Sequence, residues 1–236
     1  IVSGYGWAHL EPTTQQLWFQ VEQYLFSCDT RGTATKVKYR GKAPSQERLA
    51  LYHHTGGHYR LFAAADQELL IRQYNQALEQ TKEWLLPING FKIHQILPVS
   101  DNLAWVATDD GLYELNVPDQ EFIKQQDQWK NTFVGGVSYL TVMDDSRLLV
   151  GTSGNGIYIF DTKDRTYTGK ISALVDGNIQ PFTPNLNTIY LDPDNNLWIS
   201  TMDEGVLYTN LKRPKFRMFL PNHPILALCE TGKGEI

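Results

Sequence analysis

One phrase recurs along this chain at a near-constant interval, and a repeat of that length leaves few folds open. Its clearest copy runs Leu186-Asn187-Thr188-Ile189-Tyr190-Leu191, then Asp192-Pro193-Asp194-Asn195, then Asn196-Leu197-Trp198-Ile199-Ser200-Thr201. Met202-Asp203-Glu204-Gly205 and Val206-Leu207-Tyr208-Thr209-Asn210 complete it. The runs are short and rich in β-branched and aromatic residues, as strands are. The breaks between them use Asp, Pro, Asn and Gly, the residues that turns select. The same grammar appears in Ile93–Leu115 and in Tyr139–Phe160, and weaker copies lie around Trp18 and Phe62.

The aligned second-strand positions are Trp18, Phe62, Trp105, Leu149 and Trp198, spaced 44, 43, 44 and 49 residues apart. That period matches one four-stranded propeller blade. A large apolar residue recurs there because each blade must pack face to face on the next. The expectation is an all-β propeller with about five blades, at 5–42, 48–86, 91–128, 137–172 and 186–220, and the start of a sixth at 224–236. On this reading the chain is part of a longer protein. Ala63–Trp84 reads as helix by propensity, with Leu70, Tyr74 and Leu78 four residues apart, but the repeat register demands strand, turn, strand with the turn near Asn75.

Asp192 to Gly205, read as Asp-x-x-x-Asn-Leu-Trp-Ile-Ser-Thr-x-x-x-Gly, resembles the blade motif of the two-component regulator propellers. Looser copies are Leu148–Thr152 and Ala104–Tyr113. The resemblance implies the periplasmic sensor region of a hybrid histidine kinase of gut bacteria, responding to breakdown products of complex glycans. It further implies kinase and membrane segments elsewhere in the full protein. Expected partners are an oligosaccharide, further blades and downstream domains of the same polypeptide, with a homodimer as a further option.

Composition narrows the classes independently. A net charge of −5 over 236 residues, with no Lys or Arg run, gives no electrostatic reason to hold nucleic acid or an anionic membrane. No apolar stretch reaches membrane-spanning length, and the first residues lack the features of a signal peptide. Cys28 and Cys229 make no disulfide framework and read as free thiols.

His53-His54-Thr55-Gly56-Gly57-His58 invites a metal reading, but it falls on the first hairpin turn of its repeat, and the cysteines are remote. A polar turn is expected, with no metal and no cofactor. Gly32–Lys36 and Gly154-Asn155-Gly156 lack phosphate-loop spacing and read as turns. Asp109, Asp110, Asp203 and Glu204 could pair for glycosidase chemistry, yet they recur at the repeat period, which favours turn chemistry. Ligand contact is expected from Trp84 in 79–91, Trp129 in 120–137 and Asp176 in 166–187, read as long interblade loops, together with the turn residues Asp109, Asn155 and Asp203. The function expected is a non-catalytic sensor. The alternatives are a polysaccharide hydrolase or lyase, and an interaction scaffold.

Overall fold

The structure is a computed structural model and describes residues 8–11, 13–21, 24–38, 48–54, 56–65, 67–125, 136–171, 173–175, 178–180, 185–202 and 205–219. Its described residues form five four-stranded antiparallel sheets, the blades of a β-propeller, and one small hairpin. The first blade comprises β1 (Ala8–Glu11), β2 (Gln16–Val21), β3 (Tyr24–Cys28) and β4 (Ala34–Lys36). The second comprises β5 (Arg48–His53), β6 (Tyr59–Ala64), β7 (Glu68–Tyr74) and β8 (Gln80–Pro87). The third has β9 (Ile93–Pro98), β10 (Leu103–Thr108), β11 (Gly111–Asn116) and β12 (Glu121–Lys124). The fourth has β13 (Val137–Asp144), β14 (Arg147–Thr152), β15 (Ile157–Asp161) and β16 (Thr166–Ile171). The hairpin of β17 (Ala173–Val175) and β18 (Asn178–Gln180) follows, and then the fifth blade: β19 (Leu186–Leu191), β20 (Asn196–Thr201), β21 (Val206–Asn210) and β22 (Arg213–Phe219).

In every blade the strands pair in chain order, so short turns suffice to connect them. The chain divides into two compact units, Ile1–Val106 with Glu114–Ile123, and Ala107–Tyr113 with Lys124–Ile236.

In the first unit β1 lies against β5, and β5 against β9. Between the first two blades a core gathers Trp18, Leu25, Val37, Leu51, Tyr59, Leu61, Tyr74 and Leu78. Trp18 is fully buried, with ring centroids 4.9 Å from Tyr59 and 6.1 Å from Tyr74. After β4 the chain crosses to the second blade: Lys38 N–H donates to Leu78 O at 3.1 Å, and Gln80 N–H to Lys38 O at 3.2 Å.

The Ala63–Trp84 stretch is strand, turn, strand, as the repeat register requires. Asn75 makes the turn: its backbone N–H donates to Glu79 O, and its side-chain oxygen accepts from Glu79 N–H at 2.9 Å. Leu78 sits at φ 59°, a conformation costly for leucine. Its burial beside Trp18 offsets that cost. Helix propensity loses here because a helix would bury one stripe, whereas Leu69, Ile71, Arg72 and Tyr74 are all buried on the two faces of a strand.

In the second unit β13 lies against β19. Leu149 and Ile157 pack there with Leu186, Ile189, Leu197, Ile199 and Leu207. The sheets approach closely at Gly151, where a β-carbon would stand 2.7 Å from Ile189 Cδ1 and 3.0 Å from Leu186 Cδ1.

All five aligned positions lie on second strands. Trp18, Phe62, Trp105 and Leu149 are buried. Trp198 is only half-buried, its ring 4.5 Å from Tyr208. The 224–236 segment read as the start of a sixth blade lies outside the described residues.

Candidate functional site

Within each sheet, the turn between strands two and three shares one end with the exit of strand four, since neighbouring strands run in opposite directions. The sequence-predicted Asp109 and Asn155 occupy such turns, and the repeat motif explains how these turns are held. In three blades a buried threonine ends the second strand: Thr108, Thr152 and Thr201. Each hydroxyl donates to the carbonyl of the glycine that opens the third strand, at 2.9 Å to Gly111, 2.8 Å to Gly156 and 2.9 Å to Gly205. All three glycines have positive φ, which a β-carbon would oppose.

A second layer of backbone contacts braces this rim in the second unit. Gly136, at φ +81°, lies on the Thr108–Asp109 turn so closely that an added β-carbon would stand 2.4 Å from Asp109 Cα and 2.5 Å from Thr108 O. Its carbonyl accepts from Ser153 N–H at 3.3 Å. Asn185 bridges to Ser153, and its carbonyl accepts from Met202 N–H at 3.0 Å. Asp109 and Met202 are thus exposed groups on stiff turns, and Asn155 is half-exposed.

The acid beside Asp109 is fully engaged. Asp110 Oδ2 accepts from Lys124 Nζ at 2.6 Å and from Tyr113 Oη at 2.6 Å. The Lys124 ammonium, and after it the Tyr113 hydroxyl, hold the Asp110 carboxyl below the ordinary carboxylate range. Burial, with Asp110 next, pushes the Tyr113 phenol upward. Among the described residues, the displaced carboxyls are Glu11, Asp29, Asp110, Asp144 and Asp161, and all are displaced downward. Glu11 goes down although burial pushes it up, because Thr14 and Thr13 both donate to it. A general acid needs the opposite displacement.

Trp84 lies on β8, paired across from Ile71, and not in a loop as the sequence suggests. Sequence reasoning missed the group around it. The Arg60 guanidinium lies 5.4 Å from the Trp84 ring centroid, and its Nη1 donates to the backbone carbonyl of Asp101, which precedes β10. Asp101 Oδ2 stands 2.5 Å from His54 Nε2, whose Nδ1 accepts from Gly56 N–H at 2.8 Å. That pattern assigns the proton of a neutral His54 to Nε2. His54 therefore belongs to the polar turn expected of 53–58. Burial pushes the Tyr52 phenol up, and the Asp101 charge adds to it.

The His58 ring lies 6.0 Å from that of His54, and three atoms of this group, Asp101 Oδ1, Arg60 Nε and His58 Nδ1, are buried with no hydrogen-bond partner among the described residues. Buried polar atoms are seldom left so unless water or a ligand meets them. An arginine inside the otherwise apolar run Tyr59–Ala64 was the available sequence signal. Trp129, Asp176 and Asp203 lie outside the described residues. Trp84 belongs to the first unit, and Asp109 and Asn155 to the second.

The two component regulator propeller family model matches residues 181–203. Among curated proteins, none matches this sequence. Solved structures with the same fold are plentiful. The extracellular domain of a B. thetaiotaomicron hybrid two-component system superposes with TM-score 0.66 at 16% identity, over 96% of this chain and 31% of that one. This chain therefore spans about a third of that domain's length. The WD40 domain of Neurospora crassa Pan2 gives TM-score 0.62 at 12% identity, over 93% of this chain and 67% of that one. A luciferin-regenerating enzyme gives 0.55 at 14%, over 92% and 77%. Such distant likenesses establish the architecture alone, because one fold hosts many functions. The chain is an all-β propeller of four-stranded blades whose fifth blade carries the repeat of the two-component regulator propeller family.

Proposed function

We propose that this chain is the ligand-sensing part of a two-component signalling protein, acting in the periplasm by binding and not by turnover. The family repeat at 181–203 and the likeness to an extracellular two-component domain support the signalling role. The ligand class follows from the resemblance, a fragment of a complex glycan. The kinase that reads the signal would lie elsewhere in the polypeptide.

The observation that carries the binding site is the unsatisfied polar group beside Trp84. The half-buried Arg60 carries donors beside the Trp84 ring, and the half-buried Asp101 and His58 add an acceptor and a group that can serve as either. Sugar hydroxyls both donate and accept, and a sugar ring has an apolar face that stacks on indole. A binding event becomes a signal only if the ligand favours one of two states of the whole protein.

Titration with a panel of plant and host oligosaccharides tests the site. Replacing Trp84 by Ala should weaken the best binder at least about tenfold, the size of a lost stacking contact of about 1.4 kcal/mol. The melting temperature should fall little, because Trp84 is on an outer strand and half-buried. Unchanged affinity in the Trp84→Ala protein would remove this group from the binding site.

A further inference from the structure

Across an antiparallel sheet, residues directly opposite one another point to the same face. On the second blade the register fixes three such rows over β5, β6, β7 and β8. They are Arg48, Ala64, Leu69 and Leu86; Ala50, Phe62, Ile71 and Trp84; and Tyr52, Arg60, Gln73 and Lys82. This face looks toward the third blade, because Arg48 Nη1 donates to Ile93 O at 2.6 Å and Arg60 Nη1 to Asp101 O. The rows hold Arg48, Arg60 and Lys82 and no carboxylate.

Access differs along the face. Ala64, Leu69 and Leu86 are sealed, as are Phe62 and Ile71, and Arg48 is engaged by the Ile93 carbonyl. The last row opens: Tyr52, Arg60 and Gln73 are half-buried, and Lys82 is exposed. Trp84, two residues along β8 from Lys82, is half-buried on the same face. Glu83, between them, points to the opposite face and pairs with Arg72 at 2.8 Å. The acid that meets the open row is Asp101. Its Oδ1 is buried, and its Oδ2 stands 2.5 Å from His54 Nε2. Arg60 and Lys82 are two strand spacings apart, about 10 Å at the backbone, with the Gln73 amide between them. Side chains of their length reach a single anion from both sides.

We propose that the glycan fragment taken by the Trp84 site is anionic. An oxyanion of the sugar, a uronate carboxylate or a sulfate ester, lies between Arg60 and Lys82 while its ring rests against the Trp84 indole. This rests on the binding reading given above and adds the charge of the ligand to it. A neutral sugar would leave the two cations facing each other across Gln73. An oxyanion relieves that repulsion and gains charge-assisted hydrogen bonds.

Titration calorimetry with matched ligands tests this. Galacturonate oligosaccharides are compared with their carboxyl-reduced, neutral counterparts, and sulfated galactan oligosaccharides with the same chains desulfated. The expected result is at least about tenfold tighter binding of a charged ligand than of its neutral counterpart, a preference that shrinks as sodium chloride rises. Which pair shows it tells carboxylate from sulfate. Lys82→Gln should reduce that preference about threefold, the size of an exposed ion pair, at an unchanged melting temperature. Trp84→Ala should weaken the charged ligand as well. A neutral ligand that binds as tightly as its charged counterpart, and loses affinity in Trp84→Ala, would overturn this proposal and leave the binding site standing. A preference unmoved by Lys82→Gln would overturn it too, by placing the anion elsewhere. Binding by none of these ligands would also overturn it, and the wider oligosaccharide panel would then decide the site itself.

Discussion

Replacing Trp18 by Ala should cost about 3–5 kcal/mol of stability, the range for removing a fully buried large aromatic side chain. Trp18 is fully buried, with two buried tyrosine rings at 4.9 and 6.1 Å. The loss should be near the top of that range. Three separate second-blade strands, β5, β6 and β7, supply the side chains around it, so the cavity cannot collapse by moving one loop. The Leu78 turn would suffer too, because its strained backbone is held by packing in the same cluster. Urea unfolding followed by tyrosine fluorescence and far-ultraviolet circular dichroism measures this directly. A loss under about 1 kcal/mol would mean that the first two blades are not packed through Trp18.

Gly136→Ala should destabilise by about 3 kcal/mol, combining a left-handed backbone with overpacking. The added methyl would collide with backbone at Asp109 Cα and Thr108 O, neither of which can swing aside as a side chain would. Gly154 separates the two contributions. It has the same φ of +81°, with nothing within 4 Å of the position its β-carbon would take. Gly154→Ala should therefore show only the backbone part, about 1–2 kcal/mol. Equal losses in the two variants would show that the 136 backbone does not rest on the Asp109 turn. The comparison matters for function, because that contact fixes the exposed Asp109 side chain on its rim.

The fold was legible because the strongest motif residues each do a local job that leaves a mark in sequence. Asp192 Oδ1 accepts from Asp194 N–H and Asn196 N–H, closing the first turn, and Asn195 takes φ 64°. Asn196 Oδ1 accepts from Tyr208 Oη and Asn210 Nδ2, both at 2.7 Å, tying the turn to the third strand. Thr201 and Gly205 close the second turn. Asp144 does for the fourth blade what Asp192 does for the fifth, accepting from Ser146 N–H and from Arg147 Nε.

The second blade reads poorly because other residues make the same bonds. Ala65 N–H donates to Glu68 O at 2.9 Å, where Thr201 N–H donates to Gly205 O at 3.0 Å. The backbone bond is kept while the threonine and glycine are gone. In the same blade His54 takes the place of the turn aspartate, offering Nδ1 to Gly56 N–H.

The candidate site was less legible, for a different reason. Trp84 looked like a loop residue because β8 is an outer strand with several exposed positions, so the apolar–polar alternation that marks a half-buried strand is weak. The Arg60 group joins residues 41 positions apart, Arg60 on β6 and Asp101 before β10. No local pattern announces such a meeting. It exists only once the third blade is laid on the second.

The central claim is that this propeller binds and does not catalyse. The most direct measurement incubates the chain with the oligosaccharide that binds best, and follows both heat of binding and new chain ends in the same sample. Asp109→Asn is run beside it, since an exposed turn aspartate is replaceable by Asn at small cost. The account predicts saturable binding, changed by less than about threefold in Asp109→Asn, with no new reducing or unsaturated ends over many hours. Product that accumulates in proportion to enzyme, and is lost in Asp109→Asn, would contradict it and make the rim a polysaccharide-cleaving site.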